Sequence, residues 1–213
     1  MIPALAQYDG LWWPLDDADA RPVIVADCLP SIALLLPHII GRDVIVQAGA
    51  NVGAYPLALA DHFRAVYTAE PGPTNYACLK KNLAARDSLK RVTALHAAFG
   101  ETEGECTPLE VQPRNCGAHR VSFGRGTIPV WTIDGLELNT CDAIWLDVEG
   151  SELAALKGAA VTISRFSPTI AVEDKGLHRA FEIPDGALQA WLTERGYEQV
   201  DRVGQDKIFR RLA

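Results

Sequence analysis

The sequence predicts an α/β fold, a three-layer sandwich in which a mainly parallel sheet carries helices on both faces and closes with a C-terminal antiparallel hairpin. Three observations carry that prediction. Apolar strand-like runs alternate with helical stretches from residue 43 onward, the first run breaks into a glycine turn that opens a helix, and the chain ends in two short strand-like stretches a turn apart. Strands that are apolar throughout belong to parallel sheets buried on both faces, and the alternation with helices makes the arrangement Rossmann-like.

The elements follow in order. Asp43 to Gln47 is a β-branched run, and Tyr55 to His62 is the helix after its turn. Ala65 to Ala69 is a second strand, ending at Glu70. Pro71-Gly72-Pro73 turns the chain, and Thr74 can cap a helix whose apolar face carries Tyr76, Leu79 and Leu83. Arg91 to His96 is a third strand and Cys141 to Val148 a fourth, with a short helix over Leu153 to Ala159. Thr169 to Glu173 is a fifth strand, and the helix from Ala187 to Arg195 stops at Gly196. Tyr197 to Arg202 and Lys207 to Arg211 form the hairpin.

Two stretches break the rhythm. Residues 101–134, rich in Gly, Pro, Thr and Ser, read as an inserted loop region or short strands within the domain at 41–213, and long insertions are often functional. Residues 1–40 read as an N-terminal extension, an edge strand and a helix packing on that domain. Its Gly10-Leu11-Trp12-Trp13-Pro14 fits either an edge strand that packs tryptophan on the core or a lid over a pocket.

Composition narrows the function. A chain of 213 residues with 48% hydrophobic and 22% charged residues is an ordinary globular protein able to bury a core. A net charge of -7 argues against general nucleic-acid binding, which rests on clustered Lys and Arg. The five cysteines form no C-x-x-C pair, which fits reduced thiols. The opening Met1 to Gln7 lacks a basic leader region, and the apolar run from Ile32 to Ile40 is interrupted by Pro37 and His38. The expectation is a cytoplasmic protein with no membrane partner.

The strongest constellation is Val44-Ile45-Val46-Gln47-Ala48-Gly49-Ala50-Asn51-Val52-Gly53. A buried strand enters a tight turn at Gly49 and Gly53, where the backbone can approach a ligand, and the next helix offers free N–H groups to an anion. Asn51 can bond the ligand or hold a left-handed turn. Glu70 ends the next strand about twenty residues after Gly49, where a carboxylate accepts ribose hydroxyls. Asn51 occupies the middle glycine position of a dinucleotide cradle and Tyr55 follows closely, so S-adenosylmethionine is preferred over a nicotinamide dinucleotide.

Three segments resemble the FkbM family of methyltransferases: Q-A-G-A-N-V-G at 47–53, A-E-P-G-P-T-N-Y-A-C-L-K-K-N at 69–82, and W-L-D-V-E-G-S-E-L-A-A-L-K-G-A at 145–159, with weaker matches at Ala97 to Gly100 and at Gly196-Tyr197. The resemblance implies a seven-stranded sheet and methyl transfer, usually to an oxygen of a sugar or other small-molecule acceptor. It implies a cofactor set of Gln47, Gly49, Asn51, Gly53, Glu70 and Ala98. Relatives usually carry Asp where Gln47 stands and often Lys where Trp145 stands, which implies a weaker grip on the methionine ammonium and a more aromatic acceptor pocket.

Methyl transfer needs an acceptor held near attack and, for a hydroxyl, a group that takes its proton. Ligands in open α/β sheets lie beyond the carboxyl ends of the strands. Asp147 and Glu149 end the fourth strand, and Glu173 and Asp174 end the fifth. The catalytic candidates are therefore Asp147 and Glu173, with His119 of the insertion as a further base. Asp147, Glu173 and Asp174 are also a candidate Mg2+ site, because carboxylate oxygens suit that ion. His38 and His62 read as structural, His96 lies near the expected adenine, and His178 is another loop candidate. Gln47 and the missing Lys at 145 leave open a protein that binds S-adenosylmethionine or a nucleotide without turnover.

Overall fold

The computed structural model describes residues 4–86 and 90–211. The first three residues of the N-terminal extension and the last two of the domain lie outside them.

The chain opens with β1 (Leu5–Tyr8) and β2 (Leu11–Pro14), then the long helix α1 (Ala20–Leu35). The core unit follows: β3 (Val44–Ala48), α2 (Ala54–Leu59), β4 (Ala65–Ala69), α3 (Pro73–Ala85) and β5 (Val92–Leu95). Four strands come next, β6 (Ala98–Phe99), β7 (Gly104–Glu110), β8 (His119–Phe123) and β9 (Ile128–Trp131). The core resumes with β10 (Ala143–Leu146), α4 (Glu152–Lys157), α5 (Ala160–Phe166) and β11 (Thr169–Glu173). Helix α6 (Ala187–Thr193) and the hairpin β12 (Tyr197–Val203) and β13 (Asp206–Arg211) complete it.

Seven strands form the central sheet in the order β12-β13-β11-β10-β3-β4-β5. Strands β11, β10, β3, β4 and β5 are parallel and β13 runs antiparallel to β11 and β12. Every residue of β3 and β10 is buried, because α-helices cover both faces. One layer packs Ile45, Trp145 and Ile208 against α1, α2 and α3, and the other packs Val46, Ile144 and Phe209 against α4 and α5.

Register does the positioning. Ala48 pairs with both Ala69 and Leu146, and Leu146 pairs with Val172. The next residue on each strand therefore stands in one row along the carboxyl rim: Gly49, Glu70, Asp147 and Glu173. Four residues distant in sequence become neighbours because their strands end level.

The insertion is built differently from an extended loop. Strands β6 to β9 make a second, four-stranded sheet, with Cys106, Val121, Ile128 and Val130 as a core of their own. The N-terminal strands also depart from expectation. β1 and β2 pair with each other rather than joining an edge of the large sheet. Asn82 fixes this hairpin, donating to the carbonyls of Trp12 (3.0 Å) and Val52 (2.7 Å) and accepting from the Trp12 amide (2.7 Å). Trp13 is fully buried, so it is packing material and not a lid.

Candidate functional site

A cleft of about 450 Å3 opens along the rim, within the range of small-molecule sites. Its floor is the turn 48–51, its flanks are Glu70, Ala98 and Asp147, and its roof comes from two segments of the chain that carry no motif. One is the amino end of α1 with Ala20, Val23 and Ile24, and the other is residues 111–121 of the insertion.

Roof and floor are tied together at Cys116. Its carbonyl accepts from Asn51 Nδ2 (2.9 Å) and Asn75 Nδ2 (2.9 Å), and its amide donates to Asp17 Oδ1 (3.4 Å). The amides of Ala18 and Asp19 donate to the Arg114 carbonyl. Asp17, Asn75 and Cys116 carried no signal in the sequence beyond the neighbouring motif residues, because their partners are remote in the chain.

Glu70 is buried and braces the floor. One carboxyl oxygen accepts from the Asn51 amide (2.8 Å), the other from the Gly72 amide (2.8 Å). Burial pushes its carboxyl up to about 7, with those two amides pulling the other way. A carboxylate offers about four lone-pair sites, so these amides leave it capacity for a ligand hydroxyl. Asn51 holds a left-handed conformation (φ 52°) with its Oδ1 accepting from the Val52 amide.

Two expected cofactor residues stand elsewhere. Gln47 is buried, with its Oε1 accepting from Thr68 (2.7 Å) and its Nε2 donating to the carbonyls of Ala48 and Gly49. Its amide is spent on holding the turn, so it has no reach to a methionine ammonium. Gly53 packs toward Leu79 at the start of α2 and is not part of the cleft wall. Trp145 likewise faces the α1–α2 layer, where its indole donates to Asp206 (3.2 Å) and meets the edge of Tyr55 (5.1 Å). Tyr55 and Phe99 line the cleft instead.

The reaction rim centres on Asp147. Asp147, Glu149 and Glu173 bring carboxylate oxygens within 4.8 Å of one another. The chain turns back at Glu149 and Gly150, both with positive φ, and a Cβ at Gly150 would press on the Leu177 carbonyl (2.6 Å). Asp147 and Glu173 lie side by side in that cluster, carboxyl facing carboxyl. Burial, then the neighbouring Glu173, holds Asp147 well above the ordinary carboxylate range. Its carboxyl therefore favours the protonated form more than a solvated aspartate does. Its Oδ1 is enclosed and has no partner among the described residues.

Lys175 completes the cluster, reaching Glu173 at 2.6 Å and Glu149 at 3.4 Å. The acids expected to hold magnesium do not form that set. Asp174 accepts from Lys207 (2.5 Å) on the other side of the strand, because successive strand residues face opposite ways. Glu149 takes its place, and the Lys175 ammonium already supplies the positive charge a dication would bring. A metal would have to displace it.

The histidines separate. His119 lines the cleft, but its Nδ1 lies beside Gly72 next to Glu70, at the end expected for the ribose, and burial lowers its pKa. His96 stacks on Tyr76 (4.5 Å, 7°) and His178 pairs with Asp185 (2.9 Å), and neither is part of the cleft wall. Arg120, beside His119, sends a guanidinium into the cleft near Glu149, and its Nε is enclosed without a partner among the described residues.

The donor set fits an adenosine-bearing amino acid such as S-adenosylmethionine. Glu70 can take hydroxyls, and the enclosed Asn75 Oδ1 lacks a donor among the described residues.

Residues 47–198 match the model of the methyltransferase FkbM domain. Among solved structures, the chain is similar to the methyltransferase FkbM from Methylobacillus flagellatus KT, at 19% identity and a TM-score of 0.54, covering 91% of this chain and 55% of that one. It is also similar to Trm5b from Pyrococcus abyssi, at 12% identity and a TM-score of 0.52, covering 99% and 56%. The chain thus spans little more than half the length of these two proteins. Among curated proteins no sequence matches.

Proposed function

The chain belongs to the FkbM methyltransferase family, and from that premise we propose that it moves the methyl group of S-adenosylmethionine to a hydroxyl oxygen of a sugar or other small molecule. The observation that carries the reading is the cluster of Asp147, Glu149 and Glu173, whose carboxylate oxygens lie within 4.8 Å of one another at the carboxyl rim of the cleft. S-adenosylmethionine, when bound, supplies a methyl group on a sulfonium carbon open to in-line displacement.

The residues of the chain supply position and proton transfer. Gly49, Ala50 and Asn51 offer backbone at the floor, and Glu70 accepts ribose hydroxyls with its free lone pairs. Asp147 accepts a hydrogen bond from the acceptor hydroxyl on its cleft-facing carboxyl oxygen and so orients the hydroxyl. As the hydroxyl oxygen gains a carbon, its proton passes to that Asp147 oxygen while the proton on the other Asp147 oxygen moves to Glu173. Asp147 ends neutral as it began, and Glu173 ends protonated. Lys175 keeps Glu173 ionised beforehand, so the pair starts with one proton rather than two.

The test is transfer of a labelled methyl group from S-adenosylmethionine to hydroxyl-bearing metabolites and sugars. Labelled ether in the products, lost in Asp147→Asn, is the expected result. Tight binding of S-adenosylhomocysteine with no transfer to any acceptor would reduce the protein to a holder of the cofactor.

A further inference from the structure

The cleft holds a cation that the proposed reaction does not use. Apart from His119, the basic side chains that line it among the described residues are Lys175 and Arg120. Lys175 is committed to Glu173 and Glu149. Arg120 makes no hydrogen bond and no ion pair among the described residues, and its Nε is enclosed. A buried donor without an acceptor is unfavourable unless something that binds supplies one.

The fold aims the guanidinium at the acid end of the cleft. β8 is the edge of the four-stranded sheet, with Arg120 opposite Leu109 of β7. Val121 is buried in the core of that sheet, so alternation along the strand turns Arg120 the other way, into the cleft. Its charge reaches Glu149 and lowers that carboxyl's pKa, whereas His119 lies at the Glu70 end. We propose that Arg120 pairs with a carboxylate on the methyl acceptor, so that the acceptor is a hydroxy acid or a uronic-acid sugar and not a neutral one. This rests on the methyl-transfer reading above and narrows its acceptor class.

The chemistry selects a carboxylate. A guanidinium is a planar fork that meets a carboxylate with two parallel N–H bonds. Glu149 stands within 4.8 Å of Asp147 and in the field of Arg120, so one small molecule can set a hydroxyl at Asp147 and its carboxylate at Arg120. Glu149 also repels any anion that binds there. A phosphate brings nearly two negative charges against one free cation, and a carboxylate brings one. The other acids do not forbid that charge, because Lys175 neutralises part of the cluster and burial holds Asp147 toward its protonated form.

Calorimetric titration of the full chain, saturated with S-adenosylhomocysteine, tests this with uronic acids and short hydroxy acids, each paired with its primary amide. At least one acid is expected to bind roughly 10- to 100-fold tighter than its amide, the range of a hydrogen bond to a charged group. Arg120→Met should erase that preference by weakening the acid alone, and Arg120→Lys should keep part of it. Acids that bind no better than their amides, or not at all, would overturn the proposal. So would a sugar phosphate that binds tighter than the uronic acids, or an Arg120→Met variant that weakens acid and amide alike. A loss of S-adenosylhomocysteine affinity in Arg120→Met would also overturn it, by assigning the guanidinium to the cofactor's own carboxylate. Labelled-methyl transfer to the same compounds separates the two readings. Acid-selective binding with no transfer to any compound would sink the methyl-transfer reading, whereas transfer confined to neutral compounds would keep that reading and sink the acidic acceptor.

Discussion

The α-carbon of Gly49 rests against the main-chain carbonyl oxygen of Asp147, so tightly that a Cβ on Gly49 would occupy the place of that oxygen. The glycine turn after β3 and the acidic rim after β10 are thereby one packed unit of backbone. A change at the turn must move Asp147.

Gly49→Ala should therefore damage more than ligand binding. Gly49 has φ 83°, where an L side chain costs about 1–2 kcal/mol even in open space. Here the methyl also displaces the Asp147 carbonyl, so a loss of at least about 2 kcal/mol in unfolding free energy is expected. Chemical denaturation measures it. A variant as stable as the parent would mean the two turns move independently.

Glu70 should make cofactor affinity depend on pH. Its carboxyl is pushed up to about 7 by burial, and a ligand hydroxyl donates only to the ionised form. Binding then releases a proton, and affinity for S-adenosylhomocysteine should rise with pH between about 6 and 8. Calorimetry in two buffers of different ionisation enthalpy reads that proton directly. Glu70→Gln should remove the pH dependence and weaken binding by roughly 1–3 kcal/mol. Affinity that is flat with pH in the parent would confine Glu70 to its brace between Asn51 and Gly72.

The unliganded protein should lose stability as pH rises from 5 to 8. Burial raises Glu152 to about 7 and Asp206 to about 6, so the native state holds protons that the unfolded chain releases near its ordinary values of 4.5 and 3.8. Their contribution is present below those values and lost by about pH 7. His119, lowered by burial, works in the opposite sense below about pH 6.5, one group against several. Asp174 and Asp185 are lowered too and finish titrating below pH 5. Glu152→Gln should flatten the fall in melting temperature, because its amide oxygen can still accept from the Gly150 amide. A melting temperature that climbs over this interval would refute the assignment.

Much of this was legible in the sequence, for physical reasons that also mark where it stopped. Strands β3, β10 and β11 are continuous apolar runs because both their faces are buried, and the glycine turn shows itself by residue type. The row Gly49, Glu70, Asp147, Glu173 could be read because each residue directly follows its run. Gln47 could not, since its partner Thr68 is set by strand register. Asp174 was misread by overlooking that it and Glu173 must face opposite ways. The insertion could be read only as loops or short strands, because β7, Gly-Glu-Cys-Thr-Pro-Leu-Glu, is a strand through its pairing with β8 and β9. Lys175 had no motif, and its meaning comes wholly from the two acids it touches.

The Asp147–Glu173 relay is the sharpest claim to test at the level of turnover. Asp147→Asn keeps both ends of the geometry, an amide that donates to Glu173 and an oxygen that accepts from the substrate hydroxyl, but it cannot pass a proton. Turnover should fall by roughly 10²–10⁴ with S-adenosylhomocysteine affinity little changed. Glu173→Gln should do the same from the far end of the relay. Lys175→Met should behave differently, because the lysine acts through its neighbours. Its ammonium holds both Glu173 and Glu149 below where burial alone would put them. Without it, the rising limb of the pH–rate profile, which follows ionisation of Glu173, should move to higher pH while the plateau is partly kept. An unmoved profile in Lys175→Met, or full turnover in Glu173→Gln, would place the proton acceptor elsewhere and leave Asp147 as an orienting group.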